Sequence, residues 1–104
     1  MVKIISSQID RIQKIVDEKI ANQDFVVYLS PIFEIDGEEY QVILDGHHSH
    51  EAADRAGVEP EYVVMDASDH GAISYLDNGD IDGFLEAAYI DCQYYDVHTF
   101  KQVF

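Results

Sequence analysis

The chain has 104 residues, 21 Asp and Glu against 6 Lys and Arg, a formal net charge of −15, and 47% hydrophobic residues that include 7 Tyr and 5 Phe. That length suits one domain with one core, and the aromatic content sets the chain apart from an acidic disordered tail. So few bases cannot neutralise a run of phosphates, which argues against direct binding of nucleic acid or of an anionic membrane surface. The single cysteine, Cys92, excludes an internal disulfide framework and any thiolate metal cluster. The first residues lack the long apolar core of a signal peptide, and no apolar run reaches transmembrane length, so a cytoplasmic protein is expected.

The charge is unevenly placed. Residues 1–31 hold four acids and four bases, whereas residues 32–104 hold 17 acids and only Arg55 and Lys101, so the second stretch carries the whole of the −15. No Pro, Gly or Ser-rich linker separates the two, which predicts a single domain over 1–104 with an N-terminal helix attached to an acidic body.

In chain order, Ser6 or Ser7 caps a helical pattern in which Ile9, Ile12, Ile15/Val16 and Ile20 recur at spacings of three and four. Asp10 falls where a capping-box acid would sit. The expectation is a helix within residues 1–24 ending near Asn22, its apolar stripe turned to the core. Phe25–Leu29 reads as a strand stopped by Pro31. Residues 32–35 and 38–44 read as two strands around Asp36-Gly37, a hairpin signal because both turn positions want positive φ. A helix over 49–56 should end at Gly57, followed by a strand from Glu61. Residues 67–78 are ambiguous. Asp80 can cap a helix through Ile81, Phe84, Leu85, Ala88 and Tyr89, and the aromatic tail can add a short strand or hairpin. The predicted class is α+β with a small mixed sheet: a helix in 1–24, a core over 25–66, and an acidic helix and terminal strands over 67–104.

The densest motif runs from Tyr40 to Gly57 (YQVILDGHHSHEAADRAG) and is followed by a strand ending at Asp66. This strand, Asp-Gly-His-His turn, short helix, Gly and strand resembles the core of the ParB/sulfiredoxin superfamily, the ParB-like nuclease domain. In that family the strand-to-helix turn carries a nucleotide or phosphate site. The resemblance implies that Gly46 admits a ligand close to the backbone, that Ser49 lies at the helix N-terminus, and that Arg55 is the one base on the helix. The arginines that ParB-type members place after the glycine are His48 and Ser49 here. The nucleophilic cysteine of sulfiredoxin-like members is replaced by His47.

Asp45, His47, His48, His50 and His70 form a histidine-rich set. Neutral imidazoles with a carboxylate suit Zn or another divalent ion whose bound water could attack a phosphodiester, and His47, His48 and His50 are the candidate ligands. Asp45, His47 and His48 are equally candidates for catalysis, two of the histidines serving as general acid and base. The competing reading has His47 ordering the turn while His48 and His50 face solvent. A second pattern places Asn78, Asp80 and Asp82 at positions 1, 3 and 5 of a calcium loop with Gly83 at position 6. Tyr89 then occupies the position that needs a bidentate Glu, and a capped turn accounts for the same residues.

The acids have two readings, a solvated surface or a negative face that binds a basic protein. The residues assigned to such a face are Glu34, Asp36, Glu38, Glu39, Asp77, Asp80, Asp82 and Glu86. Two main functions follow, with a nucleotide-sensing domain as a third option. One is a small ParB-like binding protein acting on a basic partner, such as a phage or mobile-element inhibitor that imitates nucleic-acid phosphates before a nucleic-acid enzyme; it needs no cofactor. The other is a metal-assisted hydrolase or nuclease using Asp45, His47 and His48. The oligomeric state is open.

Overall fold

The computed structural model describes residues 1–104. Its ten elements are β1 (Lys3–Ser6), α1 (Gln13–Ala21), β2 (Val26–Leu29), β3 (Phe33–Ile35), β4 (Glu38–Asp45), α2 (His47–Ala56), β5 (Glu61–Val64), α3 (Ile73–Asp77), α4 (Ile81–Ala88) and β6 (Tyr95–Asp96). The class is α+β with a mixed sheet, ordered β5-β2-β4-β1-β6, and β3 pairs with the first half of β4. No helix is long and apolar enough to cross a membrane.

The eight-residue β4 organises the sheet. Tyr40, Val42 and Leu44 point to one face and pack with Ile5, Phe33, Ile73 and Phe84, a core roofed by α3 and α4. Gln41, Ile43 and Asp45 take the opposite face by strand alternation. There Ile43 joins Val27, Leu29, Tyr95 and Val97. α2 packs on β2, and α1 packs on α2. Val16 of α1 and Ala52 and Ala53 of α2 are fully buried there.

Several local predictions hold. Asp36 and Gly37 have φ of 53° and 83°, the doubly positive turn that a tight hairpin requires. Gly57 closes α2 at φ 70°. Asp80 caps α4 by accepting the Gly83 amide at 2.9 Å, so the capped turn accounts for these residues. The ambiguous stretch contains the short helix α3.

The N-terminal prediction needs correction. Residues 3–6 are a strand, and α1 begins only at Gln13. β1 lies between β4, which it pairs in parallel, and β6, so it is internal to the sheet. Neither serine caps a helix. The buried Ser6 Oγ accepts the Gln8 amide, and the buried Ser7 Oγ accepts the amide of Ile90. Ile9 and Ile12, read as part of a core stripe, are 59% and 57% exposed.

Ser30 explains how β4 changes partners along one edge. β2 gives way to β3 at Ser30-Pro31, where proline has no amide to donate. The fully buried Ser30 hydroxyl stands in for a strand carbonyl by accepting the Val42 amide at 3.0 Å, while the Ser30 amide donates to the Val42 carbonyl at 2.9 Å.

Candidate functional site

The histidine turn lies where β4 enters α2. Asp45 ends the strand with an exposed carboxylate that accepts the Gly46 amide at 2.7 Å. Gly46 has φ 90°, and a Cβ there would stand 2.6 Å from the Val26 carbonyl oxygen. The close approach that demands glycine is therefore made to the backbone of β2. Gly46 brings α2 onto the sheet, a role different from the ligand contact that the family resemblance implies.

α2 begins at His47, two residues before the expected start, so the three histidines lie on a helix and not in an extended turn. Helical geometry rotates successive side chains by about 100°, which places His47 and His50 inward and turns His48 away from them. His47 is 3% exposed, and its Nε2 is buried without a hydrogen-bond partner. Burial, aided by the nearby Arg11 charge, pushes its pKa down to about 4, so the ring is neutral at pH 7. His50 is also buried. Desolvation lowers its pKa although Asp54 Oδ2 lies 3.7 Å from Nδ1, and its ring centroid is 6.2 Å from that of His98.

His48 has a structural task. Its Nε2 accepts the amide of Ile12, the residue that caps α1, at 3.2 Å. This lone pair joins the start of α1 to the first turn of α2 and supplies an acceptor that the α1 sequence lacks. Burial and the charges of Arg11 and Lys19 lower the His48 pKa, which keeps the acceptor nitrogen unprotonated.

The remaining predicted ligand groups are similarly occupied. Ser49 is 2% exposed, and its hydroxyl is engaged with the Asp24 carboxylate. Arg55 lies eight residues beyond His47, about 12 Å along the helix axis. Its guanidinium donates to Gln13 Oε1 and approaches Glu51 Oε1 at 3.6 Å, so it is turned to α1 and its own helix. His70 accepts the Ala72 amide at the start of α3. No group of three or more His, Cys, Asp or Glu side chains is arranged to hold a metal ion, and His47, His48 and His50 do not converge.

The acids are placed differently. Glu34, Asp36, Glu38, Glu39, Asp77, Asp80, Asp82 and Glu86 are all exposed. The first four lie on the β3–β4 hairpin and the others on or beside α3 and α4. The edge-on contact of Phe33 with Phe84, with centroids 5.5 Å apart, joins hairpin to α4, so the two acidic groups occupy adjoining elements. Within the hairpin, Glu34 stands directly opposite Glu39. Like charges in that register are destabilising. Across the molecule, ion pairs with Lys or Arg engage Asp24, Glu38 and Glu51, leaving 18 of the 21 acids without a charged basic partner.

One concave feature was not anticipated. A depression of about 320 Å³ lies beside β1, β4 and β6, lined by Lys3, Tyr40, Asp96, Thr99 and Lys101 among others. Lys3 is already paired to Glu38 at 2.5 Å, and Asp96 adds a further negative charge. Lys3 and Lys101 are separated by almost the entire chain, so no local pattern could have joined them. Comparison of the chain with protein-family models, with curated proteins and with solved structures gave no match.

Proposed function

We propose that this chain is an acidic binding protein that acts on a basic protein partner, using its negative surface in the manner of nucleic-acid phosphates, on a scaffold of ParB/sulfiredoxin type. The observation that carries this reading is the exposure of all eight acids, on a hairpin and a helix pair held together by Phe33 and Phe84, with strand alternation turning Glu34 and Glu39 to the sheet face opposite the helices. The uncompensated Glu34–Glu39 pair supports it, because a surface selected for stability alone has no reason to keep two glutamates opposed. The turn of β4 into α2 supports the scaffold by its order of strand, glycine, helix, glycine and strand. Its histidines are taken up in packing and in the contact with the Ile12 amide, which favours a binding role over a hydrolytic centre at Asp45, His47 and His48.

An inhibitor of a nucleic-acid enzyme is the form of this function that the charge best suits. Such a protein would occupy a basic channel with fast, salt-sensitive association. The test uses a panel of purified basic nucleic-acid-binding enzymes. A partner should be retained on the immobilised protein at about 50 mM salt, be released near 0.5 M, and be displaced by duplex DNA. The combined variant Glu34→Gln, Glu39→Gln, Asp82→Asn and Glu86→Gln should weaken retention at least tenfold. Retention that is indifferent to salt, DNA and these four changes would reject the reading.

A further inference from the structure

We infer that the free edge of β5 is a second contact surface, one that takes an extended segment of the basic partner as an added strand. This rests on the proposed function for the sign of the partner's charge and adds where and how the backbone is held. β5 is the outermost strand and pairs with β2 alone. The Glu61 amide donates to Phe25 and the Met65 amide to Leu29, at 2.9 and 2.8 Å. In a parallel ladder the bonded positions alternate, so the amides and carbonyls of Tyr62 and Val64 point away from the sheet.

Such an edge is ordinarily blunted by lysine, proline, a bulge or a covering loop. Pro60 and Glu61 guard only the first end of this four-residue strand, Tyr62–Val64 carry no lysine, proline or bulge, and all four residues are exposed, with Val64 at 57%. The strand thus offers open hydrogen-bonding groups beside an apolar surface, the combination used when a peptide adds to a sheet. Acids surround it. Glu59 and Asp54 act electrostatically on the Tyr62 hydroxyl, Glu61 opens the strand, and Asp66 and Asp69 lie just past its end. A second copy of the chain would bring the same acids together under a charge of −15 on each molecule. A strand alternating Lys or Arg with Val or Ile complements both the acids and the apolar surface, so that is the occupant.

The probe is an acetylated, amidated heptapeptide of alternating lysine and valine, titrated at low salt against the full chain. Controls are the same peptide N-methylated at its valine amides and a version with glutamate for lysine. Binding should slow amide exchange at Tyr62 and Val64 at least tenfold. N-methylation should weaken it at least tenfold, as should Val64→Pro, which removes an outward amide that β2 does not use. The glutamate peptide should not bind. If the N-methylated peptide binds as well as its parent, or exchange slows elsewhere and not at β5, edge addition is overturned while a basic partner still stands. Failure of both lysine peptides to bind would overturn edge addition, while the basic-partner reading is decided separately by the salt- and DNA-sensitive retention of a basic enzyme. A dimer in sedimentation that Val64→Pro abolishes would assign the edge to a second copy and overturn the proposal. Should Val64→Pro fail to fold, the methylated peptide and the exchange pattern decide alone.

Discussion

His47 shows how much a side chain's role depends on which way it is turned. In sequence it stands with His48 and His50 as the centre of a plausible chemical cluster. In the fold it is a buried neutral ring with an orphaned Nε2, a condition that costs about 1–3 kcal/mol when no partner is found. Its pKa near 4 when folded lies below the ordinary value of 6.5, so the unfolded chain binds more protons between those limits. Stability from this group is present above pH 6.5 and is lost as pH falls toward 4. Between pH 7 and pH 5 the loss from His47 alone is about 2 kcal/mol. His47→Phe, which keeps a ring and removes the titration, should flatten this part of the stability profile in urea unfolding at the two pH values. An unchanged difference between pH 7 and pH 5 would mean that the ring is not held neutral. The residue types at this turn were legible in the sequence, but their directions were not. Direction depended on α2 starting at His47, and glycine packing against β2 fixed that start.

At the scale of elements, legibility followed the range of the interactions. Asp36-Gly37, Gly57 and Asp80 could be read because each acts through its own backbone torsion or an amide three residues away. β1 could not be read, because its reason to be extended is its parallel register with β4, almost forty residues distant. Ser7 misled for a related reason. The same hydroxyl that can cap a helix here accepts the Ile90 amide across the molecule. Ser30 is a further tertiary device. Ser30→Ala should leave the Val42 amide unpaired in the core and cost roughly 1–3 kcal/mol, seen as a lower urea midpoint with unchanged slope. No loss would show that water or a shifted β2 replaces the hydroxyl. The hairpin gives the opposite sign. Glu39→Lys converts a repulsive cross-strand pair with Glu34 into an attractive one and should stabilise by about 0.5–1 kcal/mol, while weakening retention of a basic partner. A variant that gains stability with no loss of binding would remove the hairpin from the binding face.

At the scale of the whole molecule, the −15 charge acts against the compact state. The three Lys and Arg ion pairs are partly exposed, and pairs of that kind contribute little. Eighteen unpaired carboxylates repel one another over distances comparable with the Debye length, about 30 Å at 10 mM salt and 8 Å at 150 mM. The molecule measures 40 × 30 × 25 Å, so at low salt every acid feels most of the others, and at physiological salt only its neighbours. Added salt should therefore raise the melting temperature by several degrees between about 10 and 300 mM NaCl, the reverse of a protein held by surface ion pairs. Binding of a basic partner should weaken over the same range, because the screening that relieves repulsion within the chain also screens attraction between the two proteins. Opposite salt slopes for stability and for binding are the combined signature of a charge kept for recognition at the expense of the fold. A melting temperature that falls with salt would show that the acids are locally compensated and would remove the physical basis for a negative face.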